Sequence, residues 1–204
     1  MESTACGCLY VTDQSGSYIY SAGVGGPGRP PYTVSSGATT LAKYRYRRRL
    51  PHLQKADADL FVSFCAGGPL VLPATSRDLV LEHCLREGGI LPLVGIARIL
   101  LHAVVIMPDH VHLLLRPLRD PNGWPYPLVD ILQCLKGSTA HRINKLLSRA
   151  GPVWEEESFD HVLRSDESLK HKVEYIRQNP VRRGLVGRPE DYRWLWVSGD
   201  VLIP

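Results

Sequence analysis

Two apolar runs flank Pro108-Asp109 in the stretch Ile106-Met107-Pro108-Asp109-His110-Val111-His112-Leu113-Leu114-Leu115-Arg116. Proline presets a turn dihedral and aspartate hydrogen-bonds nearby backbone, so the pair predicts a tight reversal between two strands. Side chains in a strand alternate faces, so residues two apart project the same way. His110 and His112 therefore leave the sheet together, while Val111, Leu113 and Leu115 point to the opposite face. Two imidazoles held side by side make half of a metal site. The competing reading is structural: an imidazole at a strand end can satisfy itself on a backbone carbonyl.

The rest of the chain supplies partners for this hairpin. Leu60-Phe61-Val62-Ser63-Phe64-Cys65 is rich in β-formers and closed by Gly67-Gly68-Pro69, which predicts a strand. Ser76 is placed to cap a helix running through Leu85, with Gly88-Gly89 as its stop. Leu100 to Met107 reads as the strand before the turn, and His110 to Leu115 as the strand after it. Pro117, Pro121, Pro125 and Pro127 then hold a loop. Leu128, Ile131, Leu132, Leu135, Ile143, Leu146 and Leu147 mark a long amphipathic helix that Gly151-Pro152 ends. Phe159 to Leu163 reads as a short strand. Ser165, Asp166 and Glu167 suit the cap and acidic first turn of a last helix reaching Asn179, stopped by Pro180. This order predicts an α+β fold, an antiparallel sheet with helices packed on one face.

At 204 residues there is room for one ordinary domain and a tail. Residues 1–42 are rich in Gly, Ser, Thr and Pro and are expected to form a low-complexity, flexible extension. The folded domain is expected over 43–192, with 193–204 as a C-terminal tail. No apolar run is long enough to span a bilayer, and the N-terminus lacks a secretory build, so the expectation is a soluble, cytoplasmic protein. The five cysteines are odd in number and contain no C-x-x-C pair, which argues against a disulfide framework or a four-cysteine zinc site.

A net charge of +4 is mild, but its distribution is uneven. Lys43, Arg45, Arg47, Arg48 and Arg49 cluster around Tyr44 and Tyr46. Lys136, Arg142, Lys145 and Arg149 lie away from the apolar stripe of the long helix. Arg177, Arg182, Arg183 and Arg188 follow near the end. Such clusters suit a polyanion, although each is also compatible with an ordinary solvated face.

In the last helix Leu169, Val173 and Ile176 fall within a narrow arc. Tyr175 stands about 120° from its centre, at a rotation of about 100° per residue. A tyrosine that only filled the core would sit inside the arc. Asn179, one turn on, shares its side of the helix, and His171 is one turn before. A phenolic oxygen can attack phosphorus and leave a covalent phosphotyrosine. A divalent cation on two imidazoles and one further oxygen, for which the Asn179 carbonyl is placed, would polarise the phosphate.

Here a family resemblance enters. Met107 to Leu115, Leu135-Lys136-Gly137, Ile143-Asn144-Lys145, Val153-Trp154, Asp160-His161-Val162-Leu163-Arg164 and Tyr175-Ile176-Arg177-Gln178-Asn179-Pro180-Val181-Arg182-Arg183-Gly184-Leu185-Val186 resemble, in order, the small HUH single-tyrosine transposases of bacterial insertion sequences. The likeness is to the REP-associated branch and covers about residues 47 to 192. Arg48-Arg49-Leu50-Pro51-His52 resembles its beginning. The resemblance implies a ferredoxin-like sheet and a metal-dependent endonuclease and strand-transferase acting on single-stranded, hairpin-forming DNA. It implies a 5′-phosphotyrosine on Tyr175, and Mg²⁺ or Mn²⁺ held by His110, His112 and Asn179. Arg47, Arg48, Arg49, Lys136, Arg142, Lys145, Arg182 and Arg183 are the expected DNA contacts, in a monomer or homodimer associated with the nucleoid when bound. The chain departs from the family pattern in residues 1–42 and after Tyr192, where Arg193-Trp194-Leu195-Trp196 replaces the usual ending. Two alternatives stay open: a nucleic-acid-binding protein without activity, and a metal hydrolase using metal-bound water that has no need of Tyr175.

Overall fold

The computed structural model describes residues 57–91, 96–163 and 169–199, together with the backbone of short strands between Glu2 and Gln54. The expected contacts Arg47, Arg48 and Arg49 lie outside the described residues, as do the helix cap at Ser165 and most of the 1–42 segment.

Five strands form one antiparallel sheet: β1 (Leu60–Cys65), β2 (Ile99–Ile106), β3 (His110–Pro117), β4 (Phe159–Val162) and β5 (Leu195–Val197). Their order across the sheet is β5-β2-β3-β1-β4. Helix α1 (Ala74–Glu87) connects β1 to β2, α2 (Leu128–Leu146) connects β3 to β4, and α3 (Leu169–Arg182) follows β4. The first four strands and two helices reproduce the expected split β-α-β arrangement, a ferredoxin-like sheet.

The hairpin is the anchor. Met107 N–H donates to the His110 carbonyl at 2.8 Å, closing the reversal over Pro108 and Asp109. The turn's own carbonyls are also taken: Ala66 N–H donates to Asp109 at 2.8 Å and Leu72 N–H to Pro108 at 2.7 Å. A turn bonded on both sides holds His110 in register, opposite Cys65, with His112 opposite Ser63. Along β2 the ladder slips between Leu101 and Ala103. Beside that irregularity, Asp59 accepts from His102 Nε2 at 2.8 Å and from two Arg116 nitrogens at 2.9 Å each, tying the start of β1 to β2 and β3.

Two cores result, one on each face. Leu60, Val62, Phe64, Val104, Ile106, Val111, Leu113 and Leu115 pack with α1 and α2. Phe61, Ala103, Val105, Met107 and Leu114 pack with Val173 and Ile176 of α3. The expectation of helices on one face therefore holds for α1 and α2 only. Apolar periodicity says which side of a helix is buried but not which face of a two-sided sheet receives it.

Three further elements differ from the sequence reading. Helix α1 begins after Pro73 rather than at Ser76, whose side chain is buried within the helix. Pro180 lies inside α3, not at its end. The turn beyond it closes through Arg183 N–H to the Asn179 carbonyl at 3.1 Å and Leu185 N–H to the Pro180 carbonyl at 2.9 Å, and Gly184 at φ 67° ends the run. Residues 195–197, expected as part of a tail, pair with Val105, Val104 and Ala103 as a fifth strand. No helix of the described residues is long and apolar enough to cross a membrane.

Candidate active site

The face carrying α3 holds the two histidines. Their ring centroids are 4.6 Å apart at an interplanar angle of 64°. His110 Nδ1 and the Asp109 carboxylate share a 2.6 Å hydrogen bond, which leaves Nε2 of His110 as its other ring nitrogen. His112 is buried, 7 % exposed, with its ring 5.3 Å from Phe61. Its Nδ1 is buried and has no hydrogen-bond partner among the described residues. An orphaned buried nitrogen costs about 1–3 kcal/mol unless something meets it.

Tyr175 reaches this pair from above. Its ring lies 5.6 Å from the His112 ring and stands edge-on to Phe61 at 5.7 Å, yet the residue is 41 % exposed. Phe61 is thus the apolar floor beneath both rings, a role that a strand phenylalanine does not advertise in sequence. Asn179, one turn further along α3, is buried.

Charge surrounds the group. The Arg182 guanidinium sits 4.4 Å over the Tyr175 ring, and its Nη2 donates to the Tyr175 carbonyl at 2.7 Å. Arg183 forms an ion pair with Asp109, so the end of α3 is tied to the carboxylate that orients His110. Burial alone would raise the Asp109 carboxyl, but the hydrogen bond with His110 and the Arg183 charge outweigh it and hold the acid low. Burial pushes the His112 imidazole down to about 3, with the charges of His110 and Arg182 adding to the effect. A neutral imidazole is the form that binds metal.

The other expected DNA contacts are placed elsewhere. Lys136, Arg142 and Lys145 belong to α2, which covers the opposite sheet face. The Lys136 amine donates to the carbonyls of Glu155 at 2.7 Å and Glu156 at 3.0 Å and to Ser158 Oγ at 3.1 Å, bracing the loop before β4. Arg142 lies 3.4 Å from Glu82. His161 sits on β4 opposite Phe61, on the site's own face, and His171 is exposed on α3.

The residues fit a divalent ion at the histidine pair, because an unmet buried nitrogen and a carboxylate-oriented imidazole stand together. A second cluster lies between α1 and α2, where ligand atoms of His83, Glu87 and Cys134 come within 4.8 Å of one another. There, however, Glu87 Oε2 already accepts from Arg98 Nε at 3.0 Å and Nη2 at 2.7 Å, all buried. A guanidinium in contact with the only carboxylate makes that cluster a poor host for a cation, and we read it as a buried ion pair.

No protein-family model matches the chain. A Haemophilus influenzae protein provisionally named a REP-associated tyrosine transposase is 26 % identical over 104 residues, covering 48 % of this chain. The match spans 59 % of that relative's length. A solved structure described as a REP-associated tyrosine transposase bound to a REP hairpin superposes with a TM-score of 0.54 at 19 % identity, covering 74 % of this chain and 81 % of that one. The chain is similar to the REP-associated tyrosine transposases. The superposition shows the shared fold. A provisionally assigned transposase from Deinococcus radiodurans, at 18 % identity and a TM-score of 0.39, covers 70 % of this chain and 98 % of its own.

Proposed function

We propose that the chain is a transposase-type endonuclease and strand-transferase for single-stranded, hairpin-forming DNA, with Tyr175 as the nucleophile. The observation that carries the reading is the Tyr175 ring, exposed to solvent yet 5.6 Å from a buried imidazole of the histidine pair. Likeness to a protein whose solved structure contains a REP hairpin supports hairpin DNA as the substrate class.

The chemistry then runs as two displacements at phosphorus. The Tyr175 oxygen, giving up its proton to solvent, attacks the phosphate. The bond from phosphorus to the 3′ oxygen breaks, and the leaving oxygen takes a proton to become a free 3′ hydroxyl. The product is a 5′-phosphotyrosine, which keeps one phosphoester bond for rejoining. An acceptor 3′ hydroxyl reverses the step, and Tyr175 recovers its proton. Arg182, over the phenol ring, puts a fixed positive charge beside the place a phosphate would take. Asp109 orients His110, and Arg183 holds Asp109 to the tyrosine helix. His110, His112 and Asn179 would hold the Mg²⁺ or Mn²⁺, which when bound polarises the phosphate and neutralises charge developing on its oxygens.

Incubation with labelled hairpin-bearing single-stranded DNA and Mn²⁺, resolved on a denaturing gel, tests the proposal. A covalent protein–DNA band in the wild type that is absent from Tyr175→Phe supports it. Cleavage that survives Tyr175→Phe points to a water nucleophile, and binding without cleavage to a non-catalytic role. Either outcome refutes it.

A further inference from the structure

From the geometry beside the site, and resting on the proposed single-stranded DNA chemistry, we infer that Phe159 is a stacking platform for a base flanking the attacked phosphate. A lone exposed phenylalanine on a protein surface needs no explanation. What marks Phe159 is its position. The sheet register runs Val105, His112, Ser63, Phe159 in one cross-strand row. Directly opposed residues share a face, so Phe159 projects on the same side as His112 and Tyr175. Two inter-strand spacings of about 4.8 Å put it about 10 Å from His112 along that row.

The surroundings agree. Helix α3 packs chiefly over β2 and β3, and β4 stands at the sheet's far edge, beyond β1. Phe159 is 57 % exposed there, and its ring meets Phe61 at 6.4 Å with an interplanar angle of 65°. Phe61 in turn supports both His112 and Tyr175, so the exposed ring belongs to one aromatic cluster with the catalytic groups. The Lys172 amine lies 5.2 Å over Phe61, the ring that both Phe159 and Tyr175 meet, whereas Glu155, Glu156, Glu157 and Asp160 neighbour Phe159 in the chain, so a strand's backbone would run on the Lys172 side of the ring. Exposed aromatic rings next to positive charge are how proteins hold single strands: the base stacks and the backbone tracks the cations. A strand whose phosphate sits at Tyr175 and whose path crosses toward the β4 edge brings a neighbouring base over Phe159. Stacking tolerates any base, so the contact would fix the strand's path without reading its sequence.

The test uses full-length protein and a hairpin-bearing oligonucleotide in which 2-aminopurine, and separately an abasic site, is moved one nucleotide at a time across the cleavage region. In the wild type, fluorescence is quenched at one position, and removing that base weakens binding about tenfold. Phe159→Ala loses the quenching, binds the intact strand about tenfold less tightly, and no longer distinguishes the abasic oligonucleotide. Phe159→Trp restores both. Thermal melts of the two variants confirm folding, as expected for an exposed side chain. Equal affinity and equal quenching in wild type and Phe159→Ala overturn the inference. Covalent adduct on the same oligonucleotide reports separately on Tyr175. Adduct without a Phe159 effect sinks only the platform, quenching without adduct sinks only the proposed chemistry, and absence of single-strand binding sinks both.

Discussion

The buried His112 imidazole makes stability of the metal-free protein depend on pH across the range in which imidazoles ordinarily titrate, and comparison with a His112 variant cancels the other seven histidines. Burial and neighbouring positive charge push it down to about 3, against 6.5 for an unhindered imidazole. A base whose folded value is depressed binds a proton more readily in the unfolded chain. Stability is therefore intact above about 6.5 and is lost as pH falls toward 3. One extra proton taken up by the unfolded state corresponds to a slope of about 1.4 kcal/mol per pH unit. Integrated from pH 7 to pH 5, with the curvature near 6.5 included, the loss is about 2 kcal/mol. The lowered carboxyls of Asp59 and Asp109 also cost stability in acid, but they do so below their unfolded value of 3.8, outside this window. Urea unfolding followed by circular dichroism, in chelator at pH 7, 6 and 5, measures the effect. His112→Leu removes the titrating group from an apolar setting, so the wild type should lose about 2 kcal/mol more than the variant across the window. Parallel curves for the two proteins would refute the assignment of a buried, unmet imidazole at position 112.

Other perturbations probe the parts around it. Asp109→Ala frees His110 and Arg183 together and should weaken Mn²⁺ binding about 10- to 100-fold by titration calorimetry, whereas unchanged affinity would show that the carboxylate orients nothing. Arg98→Met leaves Glu87 buried without its cation and should cost about 3–5 kcal/mol of stability. If zinc raised the melting temperature of a His110→Ala, His112→Ala double variant, in which the histidine pair cannot bind it, the ion-pair reading of the α1–α2 cluster would fail. Affinity for single-stranded DNA should fall with salt, and Arg182→Ala should flatten the log–log slope by about 0.7. Lys136→Met should leave that slope unchanged, since its amine serves the loop before β4.

What could be read in the chain was what local geometry enforces. Alternation along β3 is obligatory, so His110 and His112 had to share a face, and Val111, Leu113 and Leu115 pack on the other. Rotation along α3 likewise set Tyr175 apart from Val173 and Ile176, which are buried. What stayed hidden depends on non-local choices. Nothing in the helix periodicity says that α3 takes the face opposite α1 and α2, and that choice separates Lys136, Arg142 and Lys145 from the site. Leu195, Trp196 and Val197 are all apolar because each side of β5 packs against a core, Trp196 against one and Leu195 and Val197 against the other, while Trp194 just before the strand touches both. A strand that packs on both faces loses the alternation that would announce it. Pro180 looks like a helix stop, but α3 runs two residues past it to Arg182.

The central claim is that the Tyr175 oxygen becomes bonded to DNA phosphorus. Digesting the protein–DNA mixture with trypsin and nuclease, then sequencing peptides by mass spectrometry, reads this directly. The account predicts that the peptide from Val173 to Arg177 carries a nucleotide through a phosphoester on Tyr175. Recovery of that peptide unmodified while the DNA is cut, or of the nucleotide on any other residue, contradicts it.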